Sequence, residues 1–189
     1  MQKRNLTREK IIQVAFLLAN EIGLNQVTFQ KIAEKLDIKY PSLYNHFDNM
    51  DDLKSQMTVF LFKELNSKLT KSLIGKSGET AIREFAYIYR KFALDNATGY
   101  RLFINIPNIE NEEAFLLAKE TNNILRQVLH FYIKDETQVV HKLRTFRSLL
   151  HGFVSMIFLG YFHGEVSLEE SFESMIDDFI LSLANNPAL

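Results

Sequence analysis

The chain has 189 residues, of which 47% are hydrophobic and 24% are charged, a balance typical of a folded globular protein rather than a disordered one. It contains no cysteine, which excludes disulfide bonds, thiolate metal sites and cysteine nucleophiles and fits a reducing cytoplasm. The net charge is −1, but residues 1–47 carry seven basic side chains against four acidic ones, whereas the remainder carries 15 against 19. A mildly basic N-terminal segment permits an anionic partner there.

Apolar residues at steps of three and four predict three short helices before residue 48. The first is expected to stop at Gly23. Thr28 caps the second, and Asp37 follows it as a residue that tolerates the left-handed conformation of a tight turn. The third begins near Tyr40, with Pro41 in its first turn, where a missing N–H does no harm.

Longer helices are predicted over residues 51–74, 79–96, 112–133, 137–162 and 168–184, with a short aromatic piece at 100–106 that Gly99 precedes. No run alternates with period two for long, and no repeat is present. The chain is therefore predicted to be all-α with about nine helices, divided into an N-terminal domain over residues 1–50 and a helical body over residues 51–189. The longest apolar-rich run, residues 149–162, is shorter than the ~20 residues of a membrane span, so no contact with a membrane is expected.

Two short helices joined by a turn of three or four residues form a helix-turn-helix, whose second helix lies in the major groove of DNA. Residues 28–36, 37–39 and 40–46 fit this arrangement. Leu43 and Phe47, four residues apart, would hold the second helix on the core. The polar and aromatic side chains of the same segment are then left to face DNA.

The segment VTFQKIAEKLDIKYPSLYNHFDNMDDL, residues 27–53, resembles the helix-turn-helix signature of the TetR/AcrR-type bacterial transcription regulators. The shared features are the capping Thr28, an Ile-Ala pair inside the second helix, a tight turn and a Leu-Tyr-x-His-Phe ending. Two positions depart from the family pattern. Asp37 stands where the turn usually carries glycine, and Met50 stands where a lysine often contacts a phosphate, a contact that Lys54 is a candidate to replace.

The resemblance implies DNA contacts for nine side chains. The candidates for phosphate contacts are Thr28, Lys39 and Tyr44, and the candidates for base edges are Gln30, Tyr40, Pro41, Ser42, Asn45 and His46. The chemistry agrees, because hydroxyls and lysines suit phosphate oxygens, whereas amides and apolar atoms suit base edges. Two side chains have an alternative role: Tyr44 could pack half-buried on its neighbours, and His46 could cap its own helix.

The segment RSLLHGFVSMIFLGYF, residues 147–162, resembles the His-Gly core of a C-terminal subgroup named for Trp-His-Gly, with Leu150 in place of the tryptophan. Helix-turn-helix proteins usually bind DNA as two-fold dimers, and in the resembled family the last two helices form the interface. We therefore expect a homodimer whose interface contains Gly152, Met156, Gly160, Phe172, Met175, Ile176, Phe179 and Leu183. The alternative is that these residues pack inside the monomer.

The helical body is rich in aromatic residues, which line ligand pockets in helix bundles. By family analogy the predicted lining is Tyr87, Phe103, Phe131, Phe146, Leu150 and His151, and the expected effector is an apolar or aromatic small molecule. For each aromatic alone, a place in the core explains it as well. The histidines lack the spacing of metal ligands, and no HExxH, P-loop, GxGxxG or GxSxG motif occurs, so no metal, cofactor or catalytic site is predicted.

These patterns predict a cytoplasmic, homodimeric transcription regulator that binds an inverted repeat in double-stranded DNA. The family resemblance favours a repressor whose binding a small molecule relieves. Two alternatives stay open: a module of the same fold that a protein partner controls, and a helical ligand carrier or enzyme whose helix-turn-helix is incidental. A large exposed apolar patch beyond the dimer face would favour the first, and polar groups converging in a pocket of the body would favour the second.

Overall fold

The computed structural model describes residues 6–104 and 111–184, which form eight α-helices and two short 3-10 helices. In chain order they are α1 (Arg8–Ile22), η1 (Leu24–Gln26), α2 (Phe29–Leu36), η2 (Tyr40–Asn45), α3 (Met50–Leu73), α4 (Gly78–Asp95), α5 (Ala97–Ile104), α6 (Glu112–Leu129), α7 (Glu136–Phe158) and α8 (Leu168–Ala184). The all-α prediction is confirmed. Two compact units divide the chain, the first with residues 1–63 and 96–117 and the second with residues 64–95 and 118–189. The predicted functional division after residue 50 stays a prediction.

One core holds α1, α2 and η2 together in the first unit. Ile11, Ile32 and Leu43, one from each element, are completely buried. The side-chain oxygens of Thr7 and Thr28 accept hydrogen bonds from the backbone N–H groups of the residues three positions on, each at 3.3 Å, and so begin α1 and α2. The predicted cap at Thr28 is therefore confirmed, and α2 and η2 lie on a common apolar base.

The turn between α2 and η2 uses a left-handed residue, as predicted. Asp37 has φ 54° and ψ 52°, and it is the one non-glycine residue with positive φ in the described ranges. The N–H of Asp37 donates to the carbonyl of Glu34 at 3.1 Å, and the N–H of Ile38 donates to the carbonyl of Ala33 at 3.0 Å. These bonds satisfy the last carbonyls of α2 and turn the chain sharply into η2.

The structure defines the type of one predicted helix and moves the first residue of another. The segment from Tyr40 is a 3-10 helix, because Ser42 and His46 donate to the carbonyls three residues back, each at 2.9 Å. The aromatic piece α5 begins at Ala97, so Gly99 lies inside the helix. A Cβ atom at Gly99 would stand 2.9 Å from a methyl of Leu61, so the glycine permits close packing there. The part of the predicted piece beyond residue 104 lies outside the described residues.

Two other helices end earlier than predicted. α6 ends at Leu129, and α7 ends at Phe158 because a C-terminal cap follows it. Gly160 has φ 70°, its N–H donates to the carbonyl of Ile157, and the N–H of the next residue, Tyr161, donates to the carbonyl of Met156, both at 3.0 Å. Glycine is thus required at position 160 because the φ angle there is positive.

In the second unit α4, α7 and α8 bury their apolar faces together. Phe146 of α7 stacks on Phe179 of α8 with ring centroids 4.3 Å apart. Charged groups also join α4 to α8: Arg83 pairs with Glu173 at 3.1 Å and with Asp177. The position of α8 therefore rests on both aromatic packing and an ion-pair network.

Candidate nucleic-acid interface

The exposed side of η2 borders an open groove in the first unit. The groove has a volume of about 570 Å³ and is lined by Thr28, Phe29, Gln30, Tyr40, Tyr44, Asn49 and Met50. These residues come from the start of α2, from η2 and from the start of α3. The structure therefore brings four of the nine predicted DNA-binding side chains to one groove.

Two tyrosines of η2 form a pair on one side of this groove. The hydroxyl oxygens of Tyr40 and Tyr44 are 2.5 Å apart, and the two rings meet edge to face at 5.4 Å. The Tyr44 ring also meets Phe29 edge to face at 5.3 Å, yet half of its surface stays exposed. The hydrogen bond to Tyr44 raises the pKa of Tyr40 above its ordinary value, so this phenol stays protonated at neutral pH. Because one hydroxyl donates to the other, the pair offers one O–H donor to an anion.

Thr28 and Gln30 also line the groove, Thr28 as the N-cap of α2 and Gln30 in its first turn. The Thr28 oxygen accepts from the backbone N–H of Lys31, but its own O–H remains a donor that suits a phosphate oxygen. The Gln30 amide donates to the carboxylate of Glu34 at 3.2 Å. Gln30 therefore keeps its second N–H and its Oε1 for a base edge.

The five other predicted side chains differ in exposure. Lys39, Pro41 and Asn45 are exposed, whereas Ser42 and His46 are half-buried. Leu43 and Phe47 are 0% and 1% exposed and hold η2 on the core, as predicted. Asn45 is the one residue of η2 with a side-chain amide, and this amide is exposed and available to DNA.

Three further residues, Asn49, Met50 and Lys54, belong to the start of α3 beside the groove. The Asn49 side chain accepts from the backbone N–H groups of Asp51 and Asp52, each at 2.9 Å, and so caps α3 at the groove. The sequence signal was an asparagine before a helix with an acidic first turn. Met50 places an apolar side chain in the groove, and the Lys54 ammonium lies 3.6 Å from the Asp51 carboxylate. The nearest candidate to replace the family's lysine is thus already paired.

The six predicted effector residues are distributed over both units. Phe103 belongs to the first unit, where it stacks on Phe62 with centroids 4.3 Å apart. The other five belong to the second unit. Among these, Phe146 and Leu150 are buried in the core at 0% and 1% exposed, and Tyr87 is half-buried.

A second groove, of about 270 Å³, lies in the second unit at the ends of α3 and α6 and the start of α4, and one predicted effector residue lines it. The lining consists of Thr70, Leu73, Ile74, Lys76, Ser77, Ala81, Ile124, Gln127, Val128 and Phe131. Ile74 and Phe131 are 77% and 62% exposed. Gly78 has φ 56°, and a Cβ there would stand 3.0 Å from the Phe131 ring. Most of the residues that line the groove are apolar, and hydroxyl, amide and ammonium groups complete the lining.

His151 lies apart from this groove's lining and forms a pair with Tyr89. The Tyr89 hydroxyl is 2.9 Å from Nδ1 of His151. Burial lowers the pKa of His151 to about 4, and the positive charge of Arg147 acts in the same direction. The imidazole is therefore neutral at physiological pH and acts as a hydrogen-bonding group rather than a charge.

The predicted dimer residues divide into buried and exposed ones. Phe172, Ile176 and Leu183 are completely buried in the chain's own core, and Phe179 is 2% exposed. This burial agrees with the alternative that these residues pack inside the monomer. Gly152, Met156 and Gly160 are exposed and Met175 is half-buried, but Gly160 lies beyond α7 rather than on its face. An apolar stripe marks a buried face, and the pattern alone does not tell which chain buries it.

The described residues contain no group of three or more His, Cys, Asp or Glu side chains that could hold a metal ion. Over the same ranges no helix is long and apolar enough to cross a membrane.

Two family models match the chain. Residues 11–57 match "Bacterial regulatory proteins, tetR family", and residues 82–179 match "Tetracyclin repressor-like, C-terminal domain". The first match contains η2 and its groove. The second covers more than half of the chain, while the narrower Trp-His-Gly subgroup stays a prediction.

Similar proteins span nearly the whole chain. The HTH-type transcriptional regulator YobS of Bacillus subtilis is 26% identical over 183 residues, 96% of this chain and 94% of its own length. The biofilm operon icaADBC HTH-type negative transcriptional regulator IcaR of Staphylococcus aureus is 26% identical over 184 residues, 94% of this chain and 97% of its own length. A TetR variant from Acinetobacter baumannii AYE, solved in complex with minocycline, has a TM-score of 0.70 at 23% identity and covers 94% of this chain and 96% of its own. The chain thus belongs to the tetR family of bacterial regulatory proteins and is a transcription regulator rather than an enzyme.

Proposed function

We propose that the protein is a homodimeric repressor that binds an inverted-repeat operator in double-stranded DNA and releases it when a small molecule binds the C-terminal part. The observation that carries the proposal is the convergence of the Thr28, Tyr40 and Tyr44 hydroxyls on one groove beside the exposed Asn45. Residues 1–50 act as the DNA-binding part and residues 51–189 as the ligand-binding and dimerisation part, in the cytoplasm.

Repression is the direction that the described role of IcaR supports, because that relative is a negative regulator. Binding should weaken steeply as salt rises, since each phosphate contact releases counterions from the DNA.

The proposed dimer surface consists of the exposed residues of α7 and α8. Gly152 and Met156, four residues apart, lie on the open face of α7, and no atom stands within 4 Å of a Cβ placed on Gly152. Leu181 of α8 is 59% exposed. A two-fold contact through these residues would present two copies of η2 to half-sites of a palindrome.

The effector site proposed here is the groove that ends at Phe131. Its mostly apolar lining suits an apolar or aromatic ligand, and Thr70, Ser77 and Gln127 supply hydrogen bonds that would orient it. The minocycline complex of the A. baumannii protein supports a ligand of the size of a drug in this fold. Relief of repression requires that the ligand bind the DNA-free conformation more tightly than the DNA-bound one.

One observation favours control by a protein partner instead. The end of α7, the start of α8 and the segment between them expose large apolar side chains, namely Phe158, Leu159, Tyr161, Phe162, Val166 and Leu168. Exposed apolar patches mark surfaces that another chain covers. Sedimentation of the purified protein tells whether this surface binds a second copy of the chain or another protein. If Leu159→Gln converts a dimer to a monomer, the surface belongs to the homodimer. If the oligomeric state does not change, the surface is left for another protein.

The function is tested by selection from genomic DNA. The purified protein is incubated with sheared DNA from its source, and the bound fragments are sequenced. Enrichment of a few fragments that share an inverted repeat supports specific dimeric binding, after which effectors can be screened by release. Binding without a shared motif, or no binding at moderate salt, contradicts the proposal.

A further inference from the structure

Arg8, the first residue of α1, contacts the end of η2. Its Nε–H donates to the backbone carbonyl of His46 at 2.9 Å, across 38 positions of sequence. Its guanidinium carbon stands 5.4 Å from the centroid of the Phe47 ring. The guanidinium therefore holds both the last carbonyl of the segment and the aromatic anchor that follows it.

The end of η2 needs such support. A six-residue 3-10 helix has poor hydrogen-bond geometry, and its last carbonyls have no partner within the helix. The N–H groups of His46 and Phe47 both donate to the carbonyl of Leu43, at 2.9 and 3.0 Å, whereas the His46 carbonyl accepts from a side chain outside η2. Arg8 supplies that donor from a longer and capped helix.

We infer that Arg8 is a positioning residue for operator recognition, because it fixes the orientation of Asn45 and His46 at the end of η2. This inference rests on the proposed function and adds to it. A positive side chain in this place could also attract phosphates, but a charge that acts only in that way affects all DNA sequences equally. A residue that sets the direction of a base-reading side chain affects the operator far more than unrelated DNA.

The test compares Arg8→Lys with Lys10→Gln. Arg8→Lys keeps the charge but loses the planar Nε–H donor, whereas Lys10→Gln removes a charge from the same turn of α1, where Lys10 is exposed. Arg8→Lys should lower affinity for the selected operator roughly tenfold, the loss of one charge-assisted hydrogen bond, while affinity for unrelated DNA stays within about twofold. Lys10→Gln should lower both affinities by the same small factor. If Arg8→Lys lowers both equally, or neither, the inference is wrong.

Two further measurements distinguish a loss of positioning by Arg8 from a general loss of stability and from a failure of the proposed DNA-binding function. In an Asn45→Ala background the operator effect of Arg8→Lys should largely disappear, and additive losses would overturn the coupling. Hydrogen exchange needs no DNA: the amides of His46 and Phe47 should exchange at least several times faster in Arg8→Lys, while those of Ile32 and Ala33 in α2 do not change. Equal acceleration in α2 means general destabilisation and contradicts the inference. A wild-type protein that selects no DNA sequence contradicts the proposed function, whatever the exchange rates show.

Discussion

The hydroxyl oxygens of Tyr40 and Tyr44 lie 2.5 Å apart on the exposed side of η2. One hydroxyl donates to the other, so the pair retains a single O–H that can donate outward. That arrangement suits one phosphate oxygen and limits the freedom of Tyr40 to read a base. The two tyrosines are therefore expected to act as a unit at the DNA backbone.

Tyr44→Phe should weaken binding to the operator and to unrelated DNA by the same factor, about three- to tenfold, because a phosphate contact carries no sequence information. Fluorescence anisotropy with both DNAs at one salt concentration measures the change. Tyr161→Phe, which removes an exposed hydroxyl in the second unit, is the matched control and should have no effect. A loss confined to the operator would instead assign Tyr44 to a base edge.

Asn45→Ala should relax the preference at one or two base positions, each by about 1–3 kcal/mol, because a side-chain amide can pair with two atoms of adenine. The measurement is a binding selection from randomised operators with wild type and variant. Asn25→Ala removes another exposed amide, from η1, and should leave the preference unchanged. An unaltered profile for Asn45→Ala would remove this residue from sequence readout.

Met50→Lys should strengthen binding to all DNA sequences. Met50 lines the groove at the position where the family often has a lysine, and the nearby Lys54 is paired with Asp51. A new phosphate contact should steepen the slope of log affinity against log salt by roughly 0.9. Met50→Gln, of similar length but uncharged, should leave that slope unchanged. If the slope stays the same in Met50→Lys, the start of α3 does not reach the DNA backbone.

His151 should make the protein less stable in mild acid. Burial lowers its pKa to about 4 in the folded chain, whereas the imidazole of the unfolded chain is protonated below about pH 6.5. The stability is present above pH 6.5 and is lost as pH falls toward 4, with roughly 2 kcal/mol lost between pH 7 and pH 5. Urea unfolding at both pH values should show that His151→Gln loses less stability than wild type by about this amount. Equal losses would mean that the imidazole is protonated in the folded chain.

Gly152→Ala and Gly99→Ala should have opposite effects on thermal unfolding. At Gly152 an added methyl meets no atom within 4 Å, so it should stabilise the chain by up to ~1 kcal/mol. At Gly99 the methyl would stand 2.9 Å from Leu61 and should cost about 1–3 kcal/mol. If α7 also forms the dimer contact, Gly152→Ala should shift sedimentation toward monomer even as the monomer becomes more stable. Unchanged association would place Gly152 outside the interface.

Local signals in the N-terminal part were strong enough to predict its structure. The capping threonine at 28, the left-handed Asp37 and the buried Leu43 and Phe47 each follow from short-range chemistry, and the structure has all four. The third helix begins at Tyr40 as predicted, but the apolar pattern did not say that it would be a 3-10 helix. Arg8 was missed because its contact with His46 joins residues 38 positions apart.

The C-terminal part shows the limit of periodicity. The apolar stripe from Phe172 to Leu183 is buried, but α4 and α7 of the same chain cover it. Aromatic content alone does not separate core from groove for a similar reason: Phe146 and Phe131 look alike in sequence, yet one is completely buried and the other is 62% exposed. Only the packing of several helices distinguishes them.

The burial of Phe172, Ile176 and Leu183 inside a single chain has a consequence for the order of assembly. A chain that completes its own core does not need a second copy in order to fold, unlike obligate dimers that have no stable monomer. Denaturation should then proceed in two stages: dissociation that depends on protein concentration, followed by unfolding that does not. The regulator would exist as a reservoir of folded single chains, and its abundance in the cell would set how many of them are paired.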